Sequence, residues 1–322
     1  MQHSIRRSIG FGVLVVLIST ALAQAQTGVD LLIKPWASGQ QIEAQAEATV
    51  AANGSTKNSD NFDIAFYDIS GRARILRENR ADPRVGWNFT KIRTGGDPAL
   101  PGTMIDTSVG LSTGVADWNG WLAGISLGVG YAGAGAFDDG NAWYGIADLA
   151  IGHTIDNNSS IGIVLDYDGN RTFMPDVPLP GFAYTMRLDE KTSVQIGFPY
   201  TSIEYKFNDK LTLSAELYLP DVVSAKLDYA IVKGLGVFAE YGSRQEAFHW
   251  DSLSNSGDRV IYDSRRAELG VRWTPVEWVD LTVAGGYLFS QEFNVGWDVR
   301  DQDRIAKPSD EAYMRFGVSM WH

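Results

Sequence analysis

The sequence predicts an all-β protein, an antiparallel transmembrane β-barrel of about twelve strands. Three observations lead to this prediction: an export signal at the N-terminus, an alternation of apolar and polar residues with a period of two, and a regular exchange of long loops and short turns. All three are typical of barrels that are exported to an outer membrane. A soluble β-sandwich also alternates, but it has no reason to separate long loops from short turns.

The composition of the 322-residue chain excludes several other classes of protein. It has no cysteine, which excludes a disulfide framework, a thiolate metal site and a cysteine nucleophile. The net charge is −12, whereas binding to nucleic acid requires a basic face. The mean hydropathy is −0.13 and no second run of roughly 18 apolar residues exists, which excludes a polytopic helical membrane protein.

The N-terminal residues 1–25 are predicted to be a signal peptide. Arg6 and Arg7 supply its positive charge, residues 10–21 form its short apolar core, and small residues at 21–25 offer cleavage sites. Residues 26–60 are rich in Ala, Gln, Ser, Asn and Thr. They are predicted to form a periplasmic linker or lead-in, with one short helix near residues 40–50. The barrel is predicted to span residues 61–322.

Alternation with period two runs through most of the barrel region. In residues 105–115 the odd positions are apolar or Thr, while the even positions carry Asp, Ser and Gly; residues 121–131 and 281–293 alternate similarly. This pattern places one face of each strand toward lipid and the other toward the lumen. The charges that are predicted to face the lumen are nearly balanced in sign: Glu204, Lys206, Glu216, Lys226, Asp228, Glu240, Arg244, Arg266, Glu268, Arg272 and Arg315.

Connection lengths alternate along most of the chain. Long loops are predicted at 95–102, 133–141, 167–181, 249–258 and 295–310, with short turns between them at 117–119, 156–158, 189–191, 233–234 and 274–275. In outer-membrane barrels the long loops lie on one side of the membrane and the short turns on the other.

Two prolines leave the number of strands open. If Pro199 and Pro220 are kinks within long strands, twelve strands run from Arg84 to the C-terminus; if they are turns, there are fourteen. Half-strands of about seven residues are shorter than the roughly nine to eleven that span a bilayer, so twelve is preferred. Residues 62–76 form either a further strand or a plug in the lumen.

The chain ends in an apolar repeat, Phe316, Val318 and Met320, which is predicted to face lipid on the strand that closes the barrel. In the second half, segments such as VQIGFPYTSIEYKF, RRAELGVRW and the closing AYMRFGV resemble a family of bacterial outer-membrane β-barrel proteins of unknown function. This resemblance covers roughly residues 160–322. It implies the barrel fold and an outer-membrane location, and it carries over no active site.

Aromatic residues lie near the ends of the predicted strands. They are interpreted as the interfacial girdles of the barrel, where one edge of the ring is wet and the rest is apolar. Carbohydrate stacking is the competing function, but aromatic residues that bind sugar should face the lumen, whereas these mostly face outward. The candidates are Trp87, Trp121, Trp143 and Trp273.

No motif in the sequence predicts catalysis, a cofactor or a metal. His153 has the outward phase that a base in a barrel lipase would need, but the nearest serine in sequence, Ser160, has the inward phase. Acidic clusters such as Asp138 with Asp139 match no calcium-binding loop and are interpreted as solvated loop charges.

Twelve strands enclose a narrow lumen, and balanced lumen charges can pair across strands. The sequence therefore predicts a narrow pore or passive transporter for an unknown solute. A non-conducting structural or surface barrel is the alternative, and a barrel lipid hydrolase is less favoured than either. The expected partners are the lipid of a Gram-negative-type outer membrane and the barrel assembly machinery, with no nucleic acid; the oligomeric state is left open.

Overall fold

The computed structural model describes Leu32 and residues 40–76, 82–219 and 222–322, which form one sheet of seventeen strands. Strand β1 (Ile42–Thr56) pairs with β2 (Ser59–Arg74) on one edge and with β17 (Glu311–Trp321) on the other, which closes a barrel of sixteen strands. The remaining strand, β16 (Asp301–Ala306), pairs with the end of β15 (Val279–Asp298) and lies outside the ring. The prediction of a closed antiparallel barrel is therefore confirmed.

The other strands follow one another around the ring in chain order. They are β3 (Arg84–Gly95), β4 (Thr103–Trp118), β5 (Trp121–Gly133), β6 (Trp143–Thr154), β7 (Ser159–Asp168), β8 (Leu179–Arg187), β9 (Thr192–Phe198), β10 (Tyr200–Lys206), β11 (Leu211–Tyr218), β12 (Val222–Val232), β13 (Leu235–His249) and β14 (Arg259–Val276). A single 3₁₀ turn, Gly140–Ala142, precedes β6. Among the described residues, no helix is long and apolar enough to cross a membrane.

The predicted count of twelve strands is wrong because the chain reverses at both places where the count was open. It reverses at Pro199, so that Ser202 of β10 stands opposite Gln195 of β9. Pro220 itself lies outside the described residues, but Tyr218 and Val222 are paired with each other, so the chain also reverses between them. The barrel therefore has neither twelve nor fourteen strands: fourteen strands of the ring run from Arg84 onward, and β1 and β2 raise its count to sixteen.

The predicted linker at 26–60 is wrong from Ile42 onward, because β1 is a full barrel strand. Ala, Gln and Glu favour a helix in isolation, but β1 bonds to a strand on each edge, and this tertiary pairing overrides local propensity. The barrel begins at Ile42 rather than at residue 61. Residues 62–76 belong mostly to β2 and are not a plug. The predicted signal peptide at 1–25 lies outside the described residues.

The two ends of the barrel have different connections. Long loops follow β3, β5, β7 and β13 at the loop end, whereas short turns follow β4, β6, β8, β10, β12 and β14 at the opposite, turn end. Asp156 and Asp189 each cap a short turn by accepting the backbone N–H two residues on, at 2.7 and 2.8 Å. These hydrogen bonds lower the pKa of both carboxyls.

Strand length varies strongly around the ring. Strands β8 to β12, which we call the low wall, contain 9, 7, 7, 8 and 11 residues. Strands β13, β14 and β15, the tall strands, contain 15, 18 and 20 residues. At about 3.3 Å per residue, the tall strands extend far beyond the low wall at the loop end.

The tall strands bend across the barrel because the low wall gives them no neighbour at the loop end. Strand β13 pairs with β12 only as far as Gly242, opposite Ser224. Above that level β13 crosses to β5, where His249 pairs with Gly133 and its carbonyl accepts the N–H of Ala134 at 2.7 Å. This contact closes a smaller ring of nine strands, β1 to β5, β13 to β15 and β17, which we call the upper ring.

Candidate functional site

The outer surface of the barrel carries an apolar band. On β5, the outward side chains Ile125, Leu127 and Val129 are exposed between Trp121 at the turn end and Tyr131 at the loop end, and Tyr131 is itself buried against the exposed Trp143. The two aromatics are ten positions apart, which corresponds to about 25 Å along a tilted strand and matches the apolar band of membrane barrels. The neighbouring strands continue the band with exposed Val, Leu and Ile side chains.

The four predicted interfacial tryptophans lie on the outside of the barrel. Trp121 and Trp273 are exposed near the turn end, and Trp143 is exposed at the loop end, where it contacts Tyr131. Trp87 is half-buried because it packs over Gly71 of the neighbouring strand, and a Cβ atom at that glycine would lie 2.4 Å from the Trp87 ring. Trp121 and Trp273 thus lie on the outer surface at one end of the barrel and Trp143 at the other.

The closing strand β17 separates an outer and an inner face. Phe316, 52% exposed, and Met320 point outward, and Val318 shares their phase, whereas Arg315 points inward and is buried. Phe316 stands opposite Ala48 of β1 and Val283 of β15, so that β17 seals the ring between its first and last long strands.

The upper ring is filled by a hydrophobic core. Inward side chains from β1 to β4 meet those of the tall strands, and Phe293 packs against Phe62 and Tyr262 with ring centroids 6.5 and 4.8 Å apart. The core also contains Ala51, Ile64, Phe66, Ile92, Leu100, Met104, Phe248, Val260, Leu288, Ala306 and Tyr313. Apolar side chains thus fill the interior of the upper ring over the described residues.

A buried layer of charges lies below this core, toward the turn end. Arg315, whose side chain is 2% exposed, is ion-paired to Glu47 at 2.6 Å and to Glu268. Arg266 is paired to Glu240 at 2.9 Å. Lys226 approaches the same Glu240 carboxylate at 3.9 Å. Because these opposite charges are close in a water-poor interior, the layer is a neutral network rather than an ion-attracting ring.

A further ion pair spans the interior between distant strands of the ring. Arg244 of β13 contacts Asp68 of β2 at 2.6 Å and lies over the ring of Phe66 at 4.6 Å. The other side of the guanidinium contacts Glu246, which is fully buried, at 2.9 Å. Since β13 and β2 are not adjacent in the ring, this contact fixes the bent tall strands against the opposite wall.

The loop between β7 and β8 docks against the tall strands at the loop end. The buried Arg259 donates hydrogen bonds to the carbonyls of Asn170 and Arg171, both at 3.0 Å, and to the carbonyl of Trp297 at 2.7 Å. The Asn170 side chain then joins two walls, since it donates to Asp106 of β4 at 3.2 Å and to the Ala247 carbonyl of β13 at 3.1 Å. The loop therefore covers the junction between β5 and β13.

The low wall has a different inner face. Its inward residues are mainly Ser, Thr, Gln, Gly and Ala, and they come from strands that take no part in the upper ring. One continuous row of paired residues runs from Ser193 through Glu204, Ser214 and Lys226 to Glu240. Charged groups among the described inward residues are balanced, with Glu204, Glu216 and Asp228 against Arg187, Lys206 and Lys226.

An open cleft of about 610 Å³ lies at the turn end of this side of the barrel. It is bounded by the turns after β10 and β12 and by inward residues of β12 to β14, including Arg272. Arg272 is paired to Asp228 at 2.7 Å and lies 3.7 Å from Asp280. The cleft therefore joins the solvent at the turn end to the foot of the low wall.

The structure does not bring His153 and Ser160 together as the catalytic pair of a barrel lipase. His153 is stacked on Trp121, with ring centroids 4.7 Å apart, and its Nδ1 lies 3.0 Å from the Gly120 carbonyl. Ser160 stands opposite Thr154 on the inward face, and His153 stands opposite Ile161. Within the described part of the chain, no group of three or more His, Asp or Glu residues has a geometry that could hold a metal ion.

Several inward residues were missed at the sequence level. Glu47 and Asp68 belong to segments that were read as a linker and as an unplaced strand, although their alternation with Ala and Ile was visible. Tyr200 and Tyr218 were missed because the ends of their strands depend on the two prolines. Counting in twos, back from Glu204 and forward from Glu216, would have placed both tyrosines on the inner face.

No family model and no curated relative matches the chain. Among solved structures, an outer-membrane channel from Pseudomonas putida F1 is 9% identical with a TM-score of 0.38, over 90% of this chain and 97% of that one. A Rhodopseudomonas blastica porin mutant is 13% identical with a TM-score of 0.38, over 87% and 100%. A mutant of the monoaromatic hydrocarbon channel TodX is 10% identical with a TM-score of 0.40, over 92% of each. The chain is similar to these outer-membrane proteins, but similarity at this level identifies neither a solute nor an activity.

Proposed function

We propose that the protein is a pore or passive transporter of the bacterial outer membrane, and that its solutes move along the low wall. The observation that carries this proposal is the inverted distribution of side chains: a closed barrel with an apolar outer band and a polar, charged interior. Such an arrangement suits lipid outside and water inside. The chain would reach the membrane with the signal peptide removed and with the barrel assembly machinery as its partner.

The width of the ring supports conduction. Barrels of sixteen strands leave an aqueous channel, whereas those of about eight are filled by side chains. Here part of that width is occupied by the upper ring and its core. The space left for solutes lies between the tall strands and the low wall, above the cleft at the turn end, and it is bordered by small polar residues. A narrow pore follows from this division of the lumen.

The alternative is a non-conducting surface barrel, and one observation favours it. The core of the upper ring and the loop held by Arg259 both occlude the loop end. If the loop stays docked and nothing passes beside it, the barrel would serve as a scaffold in the membrane.

Conductance of the refolded protein in planar lipid bilayers separates these functions. We expect stepwise currents in KCl, and their absence would favour the scaffold. Replacing the inward Ser214 by Trp should lower the current, because the bulky ring would narrow the low wall. Ala215→Trp is the matched control: it lies next along β11 and faces outward, so its current should be unchanged.

Location is tested by cell fractionation. The protein should be recovered in the outer-membrane fraction, and boiled and unboiled samples should migrate differently on a gel, since closed barrels resist unfolding. Recovery from a soluble periplasmic fraction without detergent would contradict the membrane assignment.

A further inference from the structure

Two tyrosines face the lumen at the loop-end rim of the low wall. Tyr200 begins β10 and Tyr218 ends β11, and the two residues are directly paired across the strands. Both share the inward phase of buried neighbours, Ser202 on β10 and Ser214 on β11. In contrast, the exposed tryptophans of the girdles all lie on the outer surface. This pair is therefore an aromatic site on the solute side of the wall.

The groups around the pair are hydrogen-bonding groups. The Tyr200 hydroxyl interacts with the side chains of Glu216 and Ser202. Ser224 follows on the next strand, opposite Glu216. A ligand at this rim would therefore meet two aromatic rings, a carboxylate that accepts hydrogen bonds, and hydroxyl groups that both donate and accept them.

The balance of charge on the low wall narrows the chemistry of the ligand. Three carboxylates and three bases alternate over its described inner face, so the wall presents no field of one sign that would attract an anion or a cation. A hydrocarbon offers no hydrogen-bond partner to the hydroxyl, amide and charged groups of this wall and would displace the water that solvates them, which is costly. An uncharged solute with many hydroxyl groups satisfies both conditions.

We infer that the rim of the low wall, with Tyr200 and Tyr218 as its aromatic contacts, binds an uncharged polyhydroxylated solute such as a short oligosaccharide. The inference rests on the proposed pore function, because it names the solute class of that pore. The apolar C–H face of a sugar ring packs on an aromatic ring, while its hydroxyl groups exchange hydrogen bonds with Glu216 and the serines. The site lies where a solute would enter from the loop end.

The test uses maltohexaose as the probe in planar bilayers. KCl conductance is measured first, and maltohexaose is then added from the loop side. We expect a saturable block of the current. Tyr200→Ala combined with Tyr218→Ala should raise the half-blocking concentration roughly tenfold while KCl conductance persists, because two aromatic contacts are lost.

The matched control is the double variant Tyr205→Ala with Tyr229→Ala, which removes two outward tyrosines from β10 and β12. Its block should equal that of the unmodified protein. Conductance without any block, or a block that the lumen variant does not weaken, would overturn the sugar site and leave the pore standing.

If no current is seen, the pore proposal fails, and calorimetric titration of the refolded protein with maltohexaose decides the site alone. Saturable heat that is lost in the lumen variant would support a sugar site on a non-conducting barrel. No heat would overturn the site as well.

Discussion

The upper ring and the low wall differ most clearly in strand length. The tall strands reach 15 to 20 residues, and the low wall has strands of 7 to 11. A strand of roughly nine to eleven residues suffices to cross a bilayer. Strands β9, β10 and β11, with 7, 7 and 8 residues, are shorter than this, and β8 and β12 just reach it. The tall strands exceed it, and their surplus length folds over the lumen and forms the upper ring.

The two regions also differ in what their inner faces bury. The upper ring encloses Phe, Tyr, Ile and Met side chains above a network of ion pairs, as in the core of a soluble protein. The low wall carries small hydroxyl and amide side chains and balanced charges. Strand length thus decides which part of the lumen becomes a core and which part is left for solutes.

The largest expected effect comes from opening the ring. Deleting residues 312–322 removes most of β17 and leaves β1 and β15 with unpaired N–H and C=O groups in lipid, each costing several kcal/mol. We expect no heat-modifiable, protease-resistant barrel in the membrane fraction. Replacing residues 301–304 by a short Gly-Ser linker is the control, since this part of β16 lies outside the ring and outside the core of the upper ring. A truncated protein that still folds would show that the ring closes elsewhere.

The next prediction compares the loss of one buried charge below the upper ring with the loss of one charge on the low wall. Arg315→Met leaves Glu47 and Glu268 without their closest buried ion pairs, which should cost roughly 3–5 kcal/mol of unfolding free energy. Lys206→Met removes a side chain that is 50% exposed and 3.6 Å from Glu204, and should cost less than about 1 kcal/mol. Urea unfolding in detergent, followed by tryptophan fluorescence, measures both. Equal losses would contradict the distinction between the two regions.

Within the low wall, the outer and inner faces should differ in their tolerance of charge. Leu227 is outward and 41% exposed, so Leu227→Arg places a charge in lipid and should cost roughly 2–4 kcal/mol. Thr212→Arg faces the lumen opposite Asp228 and should be tolerated. Unfolding of both variants in lipid vesicles provides the comparison. Similar costs would mean that the register or the membrane assignment of this wall is wrong.

The most local change concerns the loop that joins the two regions, where the expected effect is on loop docking and conductance rather than on the barrel as a whole. Arg259→Gln removes several charge-assisted hydrogen bonds, each worth about 1.5–3 kcal/mol, that hold the loop between β7 and β8. We expect faster proteolysis within residues 169–178 and a higher single-channel conductance. Arg304→Gln, at an exposed pair with Glu292, should change neither. Unchanged conductance with a released loop would place the constriction elsewhere.

The alternation of apolar and polar residues, together with the exchange of long loops and short turns, was sufficient to predict a closed antiparallel barrel, because lipid on one side and water on the other select residue types position by position. It also predicted the outward phase of strands such as β5, whose Leu127 and Val129 are exposed. The order of long and short connections followed from Gly, Asn, Asp and Pro, which act locally. These features require no knowledge of distant contacts.

Only the tertiary structure decided the strand count and the division of the lumen. Ala44, Ala46 and Ala48 favour a helix in isolation and become strand because β2 and β17 bond to both edges of β1. The reversals at Pro199 and between Tyr218 and Val222 depend likewise on which strands pair. The contact of His249 with Gly133 joins residues more than a hundred positions apart, and it forms because β12 ends where β13 continues. Local preferences are encoded residue by residue, whereas pairing between distant strands depends on the lengths of all their neighbours.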